Sequence, residues 1–158
     1  MKTNQKQLKR IAAITMARND EFFLSRWIKY YGDRIGTENL YIYLDGLDQV
    51  IPDNAGNANI TKLPHTDMSR AAGDKYRIGL MSDLAKKLFE KYDIVIGCDC
   101  DEFLIVDPDT GMDLAEYLSS KKILSSSSIN VSCSIFKKSH KGTTKNAHTQ
   151  AKRAFFEK

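Results

Sequence analysis

Residues 93–103, Asp93-Ile94-Val95-Ile96-Gly97-Cys98-Asp99-Cys100-Asp101-Glu102-Phe103, form an apolar run that ends abruptly in three carboxylates. The apolar part, 93–98, has the length and continuity of a strand buried on both faces, as in a parallel sheet covered by helices. In open α/β sheets ligands bind beyond the carboxyl ends of the strands, which is where these acids fall. Asp99 and Asp101 are two apart, so on an extended backbone they share a face and could converge on one divalent cation. Such a cation commonly holds the phosphates of a nucleotide. The plainer alternative is a solvated acidic loop. A second apolar run upstream, 40–44, also ends in acid at Asp45-Gly46-Leu47-Asp48, and Asp45 there suits either a ligand or the turn at Gly46.

The elements that must position these acids can be read from periodicity. Residues 11–17 read as a first strand, followed by Arg18-Asn19-Asp20-Glu21, in which Asn19 or Asp20 can cap a helix. Along that helix Phe23, Trp27 and Tyr30 recur with Leu24, Ile28 and Tyr31 at helical spacing, a core-packing stripe, and Gly32 or Gly36 ends it. Residues 40–44 are the second strand and 59–63 a shorter third, closed by Pro64. Residues 65–74 read as loop, carrying Arg70. A second helix is expected from about 75 to 92, with Tyr76, Leu80, Leu84 and Leu88 four apart, and it leads into the acidic strand. Beyond it, 113–118 reads as a short helix with Asp113 or Thr110 near its cap, and 129–136 alternates like a half-buried strand. The order strand, helix, strand, strand, helix, strand predicts an α/β fold, a mainly parallel Rossmann-like sheet flanked by helices. No G-x-G-x-x-G follows the first strand and no G-x-x-x-x-G-K-[ST] occurs, so the dinucleotide and P-loop readings lose their main support.

Composition frames this reading. At 158 residues, with 42% hydrophobic and 28% charged, the chain fits one domain with a real core. Residues 1–10 form a basic arm with few apolar side chains. No apolar stretch approaches a membrane span and the Lys-rich start is not a signal peptide, so the expected location is the cytoplasm. Net charge is only +4, but Lys137, Lys138, Lys141, Lys145, Lys152, Arg153 and Lys158 face the single acid Glu157. That tail suits an anionic inner-membrane surface or simply a solvated segment. Aromatic interleaving is thin there, which argues against nucleic acid. Cys98, Cys100 and Cys133 are an odd trio that suits reduced thiols rather than a disulfide frame or a zinc site. His65, His140 and His148 read as surface residues, with a substrate or metal contact at His140 the alternative.

Three blocks combine into a resemblance. Ala17-Arg18-Asn19-Asp20-Glu21 with Trp27-Ile28-Lys29-Tyr30-Tyr31, then Leu40-Tyr41-Ile42-Tyr43-Leu44-Asp45, then Asp99-Cys100-Asp101-Glu102-Phe103, occur in that order. Together they resemble a bacterial family-2-type glycosyltransferase of the GT-A fold. The branch is the one with an R/K-N-E-type turn, an L-x-x-W-x-x-Y-H-like helix, a Y-I-Y-D-like strand and a D-x-D-E-F motif. The likeness covers residues 11–103. It implies that Thr15, Ala17 and Arg18 line a nucleotide pocket, that Asp45 contacts base or ribose, and that Arg77 either approaches the diphosphate or is a solvated helix residue. It places Asp99 near the ribose or the metal and makes Asp101 the direct ligand of Mn²⁺ or Mg²⁺. Glu102 and Phe103 would shape the acceptor side, with Glu102 a candidate catalytic base.

The implied activity is metal-dependent transfer of a sugar from a nucleotide-diphosphate donor, UDP-sugar foremost, to a hydroxyl of a glycan or lipid-linked acceptor during polysaccharide or glycolipid synthesis. The chain departs from the family pattern after residue 103. Phe136-Lys137-Lys138-Ser139-His140 stands where an aromatic and glycines are expected, and complete GT-A enzymes are longer. The expected organisation is therefore a single domain over 11–158, with a donor-binding half at 11–106 and a partial acceptor half at 107–158, in a truncated or reduced member. Two other functions fit parts of the pattern. One is a non-catalytic nucleotide-sugar-binding or assembly module. The other is a haloacid-dehalogenase-type phosphatase, which also places D-x-D after a buried strand, although that strand normally comes first in the chain.

Overall fold

A computed structural model describes residues 8–120 together with the backbone of 134–137. The expectations for Cys133, His140, His148 and the basic tail beyond residue 137 lie outside the described residues.

The sheet has five strands in the order β3-β2-β1-β4-β5. β1 (Ile11–Ala17), β2 (Leu40–Asp45), β3 (Asn59–Leu63) and β4 (Ile94–Gly97) are mutually parallel, and β5 (Ser134–Lys137) runs antiparallel against β4. The parallel strands match the apolar runs in the sequence because β1 and β4 are covered on both faces and so carry little polar alternation. Helix α1 (Glu21–Ile35) and the short α3 (Leu114–Ser119) cover one face, packing on Ile11, Ala13, Ile42, Leu44 and Ile96. Helix α2 (Arg70–Leu88) covers the other face, over Ala12, Ile14 and Val95. Odd positions of β1 thus face α1 and even positions face α2, as strand pleating requires.

α1 buries Leu24, Trp27, Ile28 and Tyr31, the expected stripe turned slightly, with Phe23 at its edge and 40% exposed. Gly36 ends it at φ +87°, a conformation open to glycine. Asp113 begins α3 with a reciprocal capping box to Glu116. α2 starts five residues before the expected position, with Ser69 accepting a hydrogen bond from the Ala72 N–H, and ends at Leu88. Its buried face is Met81, Ala85, Leu88 and, just past the helix, Phe89. Tyr76 and Ile78 are exposed, and Leu80 and Leu84 are half-buried. The first half of α2 overhangs the end of the sheet and packs on little, and its opening turn, before Tyr76, shows no apolar period in the sequence.

That overhang contains Gly73 and Gly79, and a Cβ added at either meets no atom within 4 Å. Gly79→Ala should therefore raise stability by about 1 kcal/mol, or roughly 2–4 °C in a domain of this size. Urea and thermal unfolding read this directly, and a destabilised variant would show that Gly79 is in close contact. Among the described residues no helix is long and apolar enough to cross a membrane.

Candidate functional site

The chain steps from β1 to β2 to β3 in one direction, and α2 then carries it back past β1 to β4. The carboxyl ends of β1 and β4 therefore diverge at a topological switch point, where open parallel sheets form a crevice. A cavity of about 490 Å³ opens beside this point, at the carboxyl ends of β1 and β2 and under the first turns of α2. Its wall includes Ala17, Arg18, Asp45, His65, Arg70 and Arg77.

Arg18 follows the last residue of β1. Its guanidinium donates to the backbone carbonyl of Asp45 and lies 3.7 Å from Asp48. Gly46 makes this approach possible: its φ is +136°, and a Cβ there would stand 2.5 Å from Arg18 Nη1. The turn is secured by Gln49, a buried residue whose importance was invisible in the sequence. Its Oε1 accepts from the Asn19 N–H at 2.6 Å, and its Nε2 donates to Asn19 Oδ1 at 2.8 Å. This two-bond clasp holds Asn19 at φ +51° and ties the β1–α1 turn to the loop after β2.

Asp20 precedes α1 but makes no side-chain cap; its Oδ2 instead accepts from the Cys100 thiol at 3.6 Å. Burial, followed by the charges of Asp20 and Asp101, pushes the Cys100 thiol well above its ordinary range. Cys100 is accordingly a neutral thiol rather than a nucleophile. Cys98 is also buried and free, with its sulfur 3.4 Å from the Tyr31 hydroxyl.

The acidic segment is not extended. β4 stops at Gly97, and the Glu102 N–H donates to the Asp99 carbonyl at 3.0 Å, closing a tight turn. The expectation that Asp99 and Asp101 share one face of a strand is corrected by this turn: Asp101 is exposed at its bend, while Asp99 is half-buried beside α2. Arg77 Nη1 donates to Asp99 Oδ1, and Arg77 Nη2 lies 3.5 Å from Asp74. Burial opposes the charge of Arg77, but Asp99, Asp74 and Glu102 outweigh it and hold its pKa above the usual value. Glu102, half-buried, thus lies in the field of Arg77.

Beyond the turn the chain is pinned to α1. The Leu104 N–H donates to the Tyr31 hydroxyl at 3.0 Å, the Tyr30 hydroxyl donates to the Leu104 carbonyl, and Phe103 stands edge-on to Tyr30 at 5.2 Å. The aromatic stripe therefore positions the acidic turn as well as filling the core.

Of the residues expected at the site, the cavity gathers Ala17, Arg18, Asp45 and Arg77, and Arg77 brings Asp99 to its edge. Thr15 is elsewhere. It is fully buried, its odd position in β1 turns it to the α1 face, and its hydroxyl finds no hydrogen-bond partner among the described residues. His65 is the residue sequence reasoning passed over. Its Nδ1–H donates to Asp45 Oδ2 at 2.9 Å, and its Nε2 lies 3.2 Å from Asp67 Oδ1. Among the described residues no three His, Cys, Asp or Glu side chains gather as a ready-made metal cage. The Asp99 and Asp101 carboxylates are hard oxygen donors of the kind Mn²⁺ and Mg²⁺ take, with Asp99 already engaged by Arg77. The chain matches none of the known protein families and none of the curated proteins with which it was compared.

Proposed function

We propose that this chain binds a nucleotide-diphosphate sugar, UDP-sugar foremost, in the cavity at the carboxyl ends of β1 and β2. We propose further that it transfers the sugar to a hydroxyl of a glycan or lipid-linked acceptor, as a metal-dependent glycosyltransferase of the GT-A type. The observation that carries this reading is the Arg77–Asp99 pair, which joins the α2 overhang to the end of β4 beside a cavity already holding Asp45 and Arg18. A donor of this class has a polyanionic diphosphate and a nucleoside rich in N–H and O–H donors. Arg18, Arg70, Arg77 and the amino end of α2 supply cationic and N–H groups for the first. Asp45 supplies an acceptor for the second.

In this reading Asp101 and Asp99 would hold Mn²⁺ or Mg²⁺ together with oxygens of the donor. Bound there, the ion supplies Lewis-acid stabilisation of the charge that develops on the departing diphosphate. Arg77 adds fixed positive charge at the same place and needs no reorganisation during the reaction. Deprotonation of the acceptor hydroxyl falls to Glu102.

A second reading is a nucleotide-sugar-binding module that does not transfer, which the position of Glu102 off the cavity wall favours. The phosphatase alternative loses ground because the acid pair follows β4, whereas β1 ends in Ala17 and Arg18 with no carboxylate for a nucleophile.

The test is thermal unfolding of the chain with UDP, GDP, CDP or dTDP, each with and without Mn²⁺. A ligand at about one hundred times its dissociation constant adds roughly 2.7 kcal/mol, a rise of several degrees. A Mn²⁺-dependent rise with one nucleotide is the expected result. No rise with any of the four would remove the donor-binding reading.

A further inference from the structure

Among the described residues the Asp45 carboxylate is held from one side only. His65 lies on the segment leaving β3 and reaches back to β2, and a carboxylate accepts without donating, so Nδ1 carries the proton between them. Asp67, two residues on, lies with Oδ1 3.2 Å from Nε2 but is fully exposed, so the bond to Asp45 is what orients the ring. The bond in turn biases the rotation of the Asp45 carboxylate, with Oδ2 accepting from His65 and no hydrogen bond to Oδ1 among the described residues, and Asp45 lines the cavity.

We infer that His65 is a positioning residue that makes Asp45 a single-acceptor contact and thereby sets which nucleobase the cavity takes. The inference rests on the donor-binding reading above. A fixed carboxylate offering one oxygen suits a base edge with one donor flanked by acceptors, the N3–H imide of uracil or thymine. Guanine presents paired N1–H and N2–H donors, which pair best with a carboxylate turned so that both oxygens face the base. The Oδ2–His65 bond opposes that rotation. The ligand class is therefore a uridine or thymidine diphosphate, discriminated from guanosine diphosphate by a residue that stands behind the contact.

The experiment is calorimetric titration of the full chain with UDP and with GDP at saturating Mn²⁺, for the parent, His65→Ala and His65→Asn. The His65 side chain is about a third exposed, so neither change opens the core, and far-UV circular dichroism verifies folding. The parent should bind UDP at least about tenfold more tightly than GDP, the factor expected of one charge-assisted hydrogen bond. His65→Ala frees the carboxylate, and the ratio should collapse towards unity through weakened UDP binding. His65→Asn carries an amide N–H close to the place of Nδ1–H and should restore the ratio, which a merely structural loss would not do. An unchanged ratio in His65→Ala, or a parent that prefers GDP, overturns the role of His65 while leaving the donor site standing. Binding of neither nucleotide to the parent overturns both.

Discussion

Asp101→Asn should abolish the Mn²⁺-dependent gain in stability with a nucleoside diphosphate while leaving the ligand-free protein within about 0.5 kcal/mol of the parent. The two halves of this expectation have separate causes. Asp101 is exposed at the bend of the turn after β4, so replacing one oxygen by an amide nitrogen leaves the core and the sheet untouched. An amide is a poor substitute for a carboxylate at a divalent ion, because the charge that drives coordination is gone. Asp99→Asn offers the contrast. Asp99 is the hydrogen-bonded partner of Arg77, and its replacement leaves a half-buried guanidinium short of compensation. That variant should therefore lose both ligand response and some ligand-free stability. Thermal scans of both variants with and without Mn²⁺ and nucleotide separate the effects. A normal Mn²⁺-dependent rise in Asp101→Asn would take Asp101 out of the site.

The second large effect belongs to the core. Trp27→Ala should cost about 3–5 kcal/mol, against a total stability of about 5–15 kcal/mol for a domain of this kind. Trp27 is wholly buried between the sheet and its own helix, with its ring 4.9 Å from that of Tyr31. Truncation leaves a cavity under α1, and the Tyr30 and Tyr31 hydroxyls that pin Leu104 are carried by the same helix face. The indole N–H of Trp27 has no acceptor among the described residues. An unpaired buried donor costs about 1–3 kcal/mol, so Trp27→Phe, which removes it, should be far gentler than Trp27→Ala. Urea unfolding orders the three proteins, and an alanine variant within 1 kcal/mol of the parent would contradict the packing described for α1.

The strands were legible because a parallel sheet covered on both faces writes itself as short apolar runs. Residues 11–17 and 59–63 match β1 and β3 end to end, and 40–44 and 93–98 come within a residue of β2 and β4 at each end. The start of α2 was not legible, because periodicity records burial and the 70–79 stretch buries little; the cap at Ser69 was its only local mark. The acids at the strand ends were legible as positions but not as conformations. Spacing two apart implies a shared face only while the backbone stays extended, and the chain turns at Asp99, two residues after the strand ends at Gly97. Thr15 illustrates the same limit from the other side, since being next to the site in sequence placed it on the opposite face of the sheet. His65 and Gln49 were beyond reach. Each acts on a partner 20 or more residues away, brought near only by the crossover from β2 to β3 and the fold of the loop after β2.

The sheet order also bears on how the protein comes together. β1 meets β2 across a single helix, but Ile11 finds Ile94 of β4 only after two more strands and a second long helix have been laid down. Contacts that distant in sequence close late, because the loop entropy must be overcome before they return any stabilisation. Arg18, Asp45 and His65 sit on the side that closes early, and the turn bearing Asp99 and Asp101 arrives with the late seam. The two halves of the site thus meet across the pairing most distant in sequence among the described strands, so a chain that holds a ligand between them has already closed that pairing.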